Sequence, residues 1–454
     1  MYRFSFHALL GILAVAFAGV FAGAGRAAEL RVATFQSDAT PPLGHPNYTL
    51  KPLATVEHPL LAKGIVLEDG DRRYVLCAVD WCVLSNSSHL MFRRKIAEAA
   101  ETEVSRTAVQ TVHVHTAPIF DGAVLEILKD VKDPPRYFDP EVFADIVDRA
   151  ARAVKQACKR LEPFDSIGTG QAKVEKVASS RRIPVGDGKF RWRMSSTKGR
   201  PELRELPEGY IDPYLKTVTF AREERPLVRL HYYATHPQSF YGDARASYDF
   251  AGMAREALQK KEGVFQVYFT GCAGDVAAGK YNDRSPRARD ELAGRLLAGM
   301  EASIAATRFV AAERPEWRTV PVLLPTRTDP GHTRADYFAK VADTKTKPMM
   351  RVWYARRMAF GERGKTPIDL SSLRIGRVFI LHLPGEPMVE YQLFAQRSKP
   401  DHFVAVAGYG EGCTSYICTE QAFSEGGYEP RASAVAPASE KILKGAIRRL
   451  LGSE

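Results

Sequence analysis

The chain has 454 residues, of which 45% are hydrophobic, and this is enough to form a large folded core. Its 34 Gly and 28 Pro residues follow no repeat, so neither a collagen-like nor a disordered chain is indicated. The formal net charge of +11 comes without a long Lys/Arg run or a nucleic-acid-binding motif, so we expect no nucleic-acid partner. The charge is compatible with peripheral contact with an anionic membrane surface.

The first 28 residues have the pattern of a cleavable signal peptide. Arg3 precedes an apolar run from Leu9 to Ala22, and small residues follow as far as Ala28. The run is shorter than the roughly 20 residues that a membrane-spanning helix needs. We therefore expect residues 1–28 to be removed and residues 29–454 to act in the periplasm or as a secreted protein.

Predicted strands and helices alternate along the rest of the chain. Apolar alternation predicts strands at 30–35, 63–66, 73–79 and 107–115, and helical spacing predicts helices at 87–99, 140–158 and 439–451. This order predicts an α/β (α+β) fold with a mixed β-sheet core flanked by helices. No internal repeat is visible in the sequence. We expect one catalytic domain over 29–454, with loop insertions at about 185–210 and 325–370.

The predicted strand at 107–115 ends in His113-Val114-His115. Because residues i and i+2 of a strand point to the same face, both imidazoles would project together. They would do so at the end of a strand, where α/β folds tend to place their sites. Two histidines on one face suit a divalent metal, zinc first. The alternative is a pair of surface histidines on an amphipathic strand.

Three later segments also present a candidate ligand where a predicted strand or turn ends. His236 closes a strand in which His231 is more typical of a core residue. Glu386 follows a strand and a Pro-Gly turn, although an acid at this place also suits the first turn of a helix. Tyr416 lies near a further turn, twelve residues before Tyr428. Each signal alone is weak, and their agreement favours a metal site.

Taken in this order, the motifs resemble those of the neutral (non-lysosomal) ceramidase superfamily, in its short bacterial form, over about residues 30–430. The resemblance implies a zinc ion bound by His113, His236, Glu386 and Tyr416. It also implies that His115, Arg181 (in Ser180-Arg181-Arg182) and Tyr428 face the substrate.

The sequence departs from that family at two places. Gly274-Asp275-Val276-Ala277 has Ala277 where the resemblance would place an active-site Ser. Gly274 and Asp275 belong to a Gly-rich turn whose N–H groups are candidates for cradling an oxyanion. The larger ceramidases also continue into a C-terminal β-domain, whereas here only about 25 residues follow Tyr428. The departures leave open which amide is the substrate.

The resemblance implies a zinc-dependent hydrolase in which activated water attacks the amide carbonyl of an N-acyl lipid or another small amide. His115, Arg181 and Tyr428 would then stabilise the oxyanion or move the proton. The alternatives are an esterase or another amidase of the same fold, a metal other than zinc, and a non-catalytic, metal-stabilised binding protein. The sequence does not set the oligomeric state.

Overall fold

A computed structural model describes residues 1–2, 29–364 and 366–453. The predicted signal peptide thus lies outside the described residues, apart from the first two. The described strands, in chain order, are β1 (Leu30–Asp38), β2 (Thr55–Val56), β3 (Leu61–Asp69), β4 (Arg72–Val79), β5 (Val83–Ser85), β6 (Thr107–Thr111), β7 (Ile119–Asp121), β8 (Glu162–Pro163), β9 (Ser166–Lys173), β10 (Ser179–Ser180), β11 (Arg182–Pro184), β12 (Phe190–Trp192), β13 (Tyr214–Arg222), β14 (Arg225–Tyr233), β15 (Arg245–Ala246), β16 (Phe265–Thr270), β17 (Val276–Ala277), β18 (Arg308–Ala311), β19 (Glu316–Val322), β20 (Ile368–Ile375), β21 (Val378–His382), β22 (Glu386–Pro387), β23 (Phe403–Ala407) and β24 (Tyr416–Ile417).

The described helices are α1 (Asn86–Ala99), α2 (Gly122–Lys129), α3 (Pro140–Ala157), α4 (Glu202–Glu205), α5 (Asp249–Glu262), α6 (Pro286–Ala305), α7 (Arg334–Ala342), α8 (Pro348–Glu362), α9 (Val389–Arg397), α10 (Glu420–Glu425), α11 (Tyr428–Ala432) and α12 (Ser439–Leu451). None of them is long and apolar enough to cross a lipid bilayer.

Three mixed sheets form the framework, with strand orders β6-β4-β3-β1-β8, β16-β14-β13-β9-β18 and β19-β20-β21-β23. Helices pack against them, so the predicted α/β (α+β) class is confirmed. Helix α3 shows how the sequence builds such a layer. Asp139 caps its first turn, Pro140 opens it, and its buried side chains, such as Ile146 and Ala150, repeat at helical spacing.

Each sheet contains the same arrangement, which the sequence did not reveal. An antiparallel hairpin (β3–β4, β13–β14 or β20–β21) is followed by a helix (α1, α5 or α9) and by a strand parallel to the second strand of the hairpin (β6, β16 or β23). Parallel neighbours end at the same edge of a sheet. Each sheet therefore presents a pair of strand ends at one edge.

The three parallel strands meet at these ends. The Thr111 N–H at the end of β6 donates to the Tyr409 carbonyl beyond β23 at 2.8 Å, and the Gly408 N–H donates to the Thr270 carbonyl of β16 at 2.9 Å. The Thr270 hydroxyl donates to the Val112 carbonyl beyond β6 at 2.7 Å, which closes the ring. The segments that leave these strands, and the hairpin strands beside them, are thereby held around one point.

Candidate metal centre

His113 and His115 lie beyond the end of β6, not within it. The predicted strand at 107–115 is therefore wrong after Thr111, and strand alternation does not align the two imidazoles. His113 instead has a φ of +69°, a conformation that is uncommon for a residue with a side chain and that concentrates at functional sites. The turn brings the two Nε2 atoms within 3.2 Å of each other.

Three of the four predicted zinc ligands converge. His113, His236 and Glu386 each offer one ligand atom, and these atoms lie within 4.8 Å of one another in a buried group. The Nε2 atoms of His113 and His236 are each 3.3 Å from Oε2 of Glu386. Each of the three main sheets contributes one member of this group. His113 follows β6, His236 follows β14 and Glu386 follows β21.

Backbone carbonyls fix the orientation of the two histidine rings. Nδ1 of His113 donates to the Cys82 carbonyl, and Nδ1 of His236 donates to the Ala273 carbonyl, both at 2.7 Å. With the proton on Nδ1, each Nε2 carries a lone pair. Two imidazole lone pairs and a carboxylate oxygen therefore face one another. Such a set of acceptors attracts a cation, and the carbonyl contacts are typical of the support around metal-bound histidines.

The electrostatics of the group suit a metal. Burial, together with the charge of Arg181, lowers the pKa of His236 to about 3, so its imidazole is neutral at neutral pH. Burial raises the pKa of the Glu386 carboxyl, but positive charge and N–H groups at the positions of His113 and His236 outweigh this and hold it well below its usual range. When the two Nε2 atoms are lone pairs instead, a cation among the three side chains is needed to stabilise the carboxylate. Neutral imidazoles and an ionised carboxylate are the forms that bind a divalent cation.

Cys82 offers a second combination of ligand atoms with His113 and His115. Burial raises the pKa of the Cys82 thiol well above its usual value, and the nearby charge of Glu386 raises it further. A thiol must lose its proton to bind a metal. The His113–His236–Glu386 group, whose carboxylate is already ionised, is the better site.

A chain of hydrogen bonds connects Arg181 with His115. Nη2 of Arg181 donates to Oε1 of Gln238 at 3.3 Å, and Nε2 of Gln238 is 3.1 Å from Nδ1 of His115. Arginine can only donate, so the amide oxygen faces Arg181 and the amide N–H groups face His115. Nδ1 of His115 therefore accepts, and its proton lies on Nε2. This N–H points toward Nε2 of His113, 3.2 Å away, and so toward the predicted ligands.

Tyr416 lies beside Glu386 because β22 and β24 pair in parallel at these two residues. Its ring lies parallel to that of His236, with 6.4 Å between the centroids, and its hydroxyl accepts from Nη1 of Arg181 at 3.0 Å. The structure thus places Tyr416 next to two of the predicted ligands, with Arg181 on its hydroxyl. Its role as a fourth ligand stays a prediction.

Three half-buried tyrosines, Tyr48, Tyr241 and Tyr428, surround the group; we call them the tyrosine rim. Tyr48 meets His115 edge-on at 4.7 Å between centroids and Tyr241 at 5.7 Å. Tyr428 opens α11 and meets Tyr416 edge-on at 5.5 Å. The predicted substrate-facing residue Tyr428 is thus within reach of the centre.

Gly274 and Asp275 contact the segment that carries Glu386. The Gly274 N–H donates to the Pro387 carbonyl at 2.8 Å, and a Cβ at Gly274 would overlap the Glu386 carbonyl, so a larger residue would displace this ligand. Oδ1 of Asp275 accepts from the Val389 N–H at 2.8 Å. Burial raises the pKa of Asp275 to about 6. Their direct part in catalysis stays a prediction, and these contacts give them a part in positioning Glu386.

Ala277 is fully buried and pairs with Ser179 across the β10–β17 ladder. The Ser179 hydroxyl donates to the Ala277 carbonyl at 2.8 Å. The side chain of Ala277 is therefore a methyl group where the family resemblance implies a serine hydroxyl. The hydroxyl of the neighbouring Ser179 is already used in this hydrogen bond.

Sequence reasoning missed two residues of the centre. Tyr409 stacks on His113 with 4.4 Å between centroids, and its hydroxyl lies 3.3 Å from Nδ1 of His236. Gln238 orients His115 as described above. Gln238 follows β14 and Tyr409 follows β23, so both come after a strand end, as His113 and His236 do, but neither residue type suggests a metal site.

No family model matches the chain, and no curated protein matches it by sequence. The solved structures that match it in three dimensions include a neutral ceramidase from Pseudomonas aeruginosa and a ceramidase described as complexed with C2. Each has a TM-score of 0.67 and 15% sequence identity to this chain. The matches cover 92% of this chain, and 73% and 74% of the respective ceramidases.

The described residues thus form an α/β protein with a candidate metal centre where three sheets meet. Its fold is that of the neutral ceramidases, and the resemblance predicted from the sequence motifs is confirmed at the level of the fold.

Proposed function

We propose that this protein is an exported zinc-dependent amidohydrolase of the neutral ceramidase type. The observation that carries the proposal is the convergence of Nε2 of His113, Nε2 of His236 and Oε2 of Glu386 within 4.8 Å in a buried group. Three acceptor atoms that face one another repel without a cation between them, and two imidazoles with one carboxylate are a ligand set of catalytic zinc. The fold shared with ceramidases supports the same class of reaction.

Zinc held by these residues would supply Lewis acidity, which polarises a carbonyl and acidifies water. The chain's own groups would do the rest. Nε2–H of His115 would donate to the carbonyl oxygen as negative charge develops on it. Arg181 would hold the Tyr416 hydroxyl and, through Gln238, the orientation of His115. The tyrosine rim would position the substrate and limit the access of water.

In the reaction, the oxygen of water bonds to the carbonyl carbon and the C–N bond breaks. The proton lost by water passes to the leaving nitrogen, so the products are a carboxylic acid and an amine. None of these steps needs a serine nucleophile, so Ala277 is compatible with hydrolysis.

The first test is metal analysis of the protein purified without added metal. We expect about one zinc ion per chain, and we expect His113→Ala and His236→Ala to lose it. His231→Ala is a matched control, because His231 is equally buried but bonds to Thr217 and Gln266 in the sheet core. Metal that is absent from the wild type, or retained by both ligand variants, would contradict the proposal. Another ion at the same stoichiometry would revise only the identity of the metal.

The second test separates an enzyme from a metal-stabilised binding protein. The binding protein is the alternative because Ala277 stands where the resemblance implies an active-site Ser. The zinc-loaded protein is assayed with a panel of amides and esters. Turnover that Glu386→Gln abolishes supports the enzyme, and preference for esters over amides would make it an esterase. Tight binding of an amide without turnover supports the binding protein.

Export is part of the same proposal and has its own test. If residues 1–28 are a signal peptide, the protein recovered from outside the cytoplasm should begin near residues 25–29. An intact N-terminus at Met1 in the cytoplasmic fraction would contradict it.

A further inference from the structure

A cavity of about 580 Å³ lies beside the segments that carry Arg181 and Glu386. Ser180 and Arg182 line it, whereas the side chain of Arg181 between them reaches into the metal centre. Met388, two residues after Glu386, also lines it. None of the three predicted metal ligands is among its described lining residues. The cavity therefore adjoins the metal centre without being part of it.

Asp275 places a buried carboxylate in the wall of this cavity. The residue is 7% exposed, and its Oδ1 accepts from the Val389 N–H at 2.8 Å. No other described residue bonds to this carboxylate, and no described cation lies within ion-pair distance of it. Burial raises its pKa to about 6, so it is mostly ionised above that pH. A buried charged oxygen without a partner in the protein is costly unless something in the cavity binds it.

The other buried carboxylates of the described residues have full sets of partners. Three of them, Asp121, Asp212 and Asp249, also form no ion pair, but in each of them both oxygens accept hydrogen bonds from the protein. The remaining ones outside the metal centre form ion pairs with arginine. The free oxygen of Asp275 is therefore specific to its place in the cavity wall.

The charged side chains of the wall leave an excess of negative charge. Its two cations, Arg182 and Lys444, already form ion pairs with two of its acids, at 2.7 and 2.6 Å. A third acid, Glu390, is paired at 2.8 Å with an arginine outside the lining residues. Asp275 is the fourth acid and has no such pair among the described residues. A cation thus fits this cavity better than an anion.

The uncharged parts of the wall suit an organic cation. Tyr210 is 52% exposed, and its hydroxyl donates to Oε2 of Glu390 at 2.8 Å, which holds the ring at the cavity. Phe190 and Met388 add apolar surface. Aromatic faces attract cations, and the volume is that of a site for a small organic molecule. A divalent metal ion fits less well, because it needs several free oxygen ligands and Asp275 offers one.

We propose that this cavity is a binding site for a small organic ammonium ion, whose N–H groups bind Asp275 and whose apolar part packs on Tyr210 and Phe190. The site goes beyond the proposed function and does not depend on it. The amine that amide hydrolysis releases belongs to the same chemical class.

The test is isothermal titration calorimetry of the zinc-loaded protein at about pH 7.5, with three probes of similar shape. 2-Phenylethylamine is a cation at this pH, 2-phenylethanol is neutral and phenylacetate is an anion. We expect the amine to bind at least about 10-fold more tightly than the alcohol, because hydrogen bonds between charged groups are stronger than neutral ones. Phenylacetate should bind most weakly.

Variants connect this preference with the cavity. Asp275→Asn keeps an acceptor for the Val389 N–H and removes the charge, so it should weaken amine binding at least about 10-fold and leave the affinity for the alcohol unchanged. Tyr210→Ala removes an exposed ring and should weaken both ligands; it serves if Asp275→Asn fails to fold. Asp249→Asn, at a buried carboxylate outside the cavity, is the matched control and should bind the amine as the wild type does.

An amine can also bind to zinc, and His113→Ala, which should lose the metal, separates the two sites. We expect the amine to bind this variant as tightly as it binds the wild type. Loss of binding in His113→Ala would place the amine at the metal centre and overturn the proposal.

The proposal is also overturned if the amine binds no more tightly than the alcohol, or if Asp275→Asn and Tyr210→Ala both retain wild-type affinity for it. A protein without zinc or turnover would contradict the proposed hydrolase function alone, since the binding measured in His113→Ala does not involve the metal.

Discussion

The hydrogen-bond chain from Arg181 through Gln238 to His115 makes a prediction about where a proton lies. In the wild type the amide of Gln238 donates to Nδ1 of His115 at 3.1 Å, so the proton of this histidine is on Nε2, facing the centre. In Gln238→Glu a carboxylate, which only accepts, would stand at the same place. We expect the proton of His115 to move to Nδ1.

The size of the effect follows from what His115 would lose. With the proton on Nδ1, its Nε2 no longer donates to the carbonyl oxygen, and a hydrogen bond to a charged group contributes about 1.5–3 kcal/mol. This corresponds to about a 10- to 100-fold fall in kcat, and a wrong histidine tautomer elsewhere costs up to about 10⁴-fold. Metal content should not change, since the Gln238 side chain contacts none of the three proposed ligands.

The assay is ¹⁵N–¹H NMR of protein with labelled histidine, which identifies the protonated nitrogen of each ring. His115→Gln gives the assignment, and Gln238→Met, which removes the amide without adding a charge, is the control. We expect Gln238→Met to lower kcat less than Gln238→Glu does. A wild-type His115 protonated on Nδ1, or a His115 that keeps its tautomer in Gln238→Glu, would refute the reasoning.

Three further predictions concern the support of the centre. Gly385 has a φ of +56°, so Gly385→Ala is strained and should displace Glu386; we expect zinc affinity to fall at least about 10-fold by competition with a chelator, and an unchanged affinity would contradict this. Hydrogen bonds and charges hold the pKa of Glu411 at about 2, against an ordinary value of 4.5, although burial opposes them. Its folded pKa lies below its unfolded pKa, so its stabilisation is present above about pH 4.5 and is lost as the pH falls toward 2. Urea unfolding should therefore show Glu411→Gln losing up to about 3 kcal/mol near pH 7 and much less near pH 3. Asp80→Ala removes the bidentate partner of the buried Arg255 and leaves it only the ion pair with Glu256, so it should cost about 3–5 kcal/mol in the same assay, and a loss below about 1 kcal/mol would show that the pair with Asp80 is not needed.

The sequence determined the alternation of strands and helices, and with it the fold class, because apolar periodicity is local information. It also determined which residue types stand at strand ends. His113, His236 and Glu386 could be chosen for this reason, and the structure brings them together. The order of the motifs pointed to the ceramidase resemblance, which the fold then confirmed at 15% identity.

The tertiary structure alone decided why these residues meet. The sequence suggested that strand alternation aligns His113 with His115, whereas a left-handed turn beyond β6 does so. The same supersecondary arrangement occurs in three sheets whose strand ends are hydrogen-bonded to one another, and no sequence repeat reveals it, because packing constrains shape more than identity. Gln238 and Tyr409 could not be found from the sequence for a related reason. Their significance lies in which partners they have in space, and a single sequence does not contain that information.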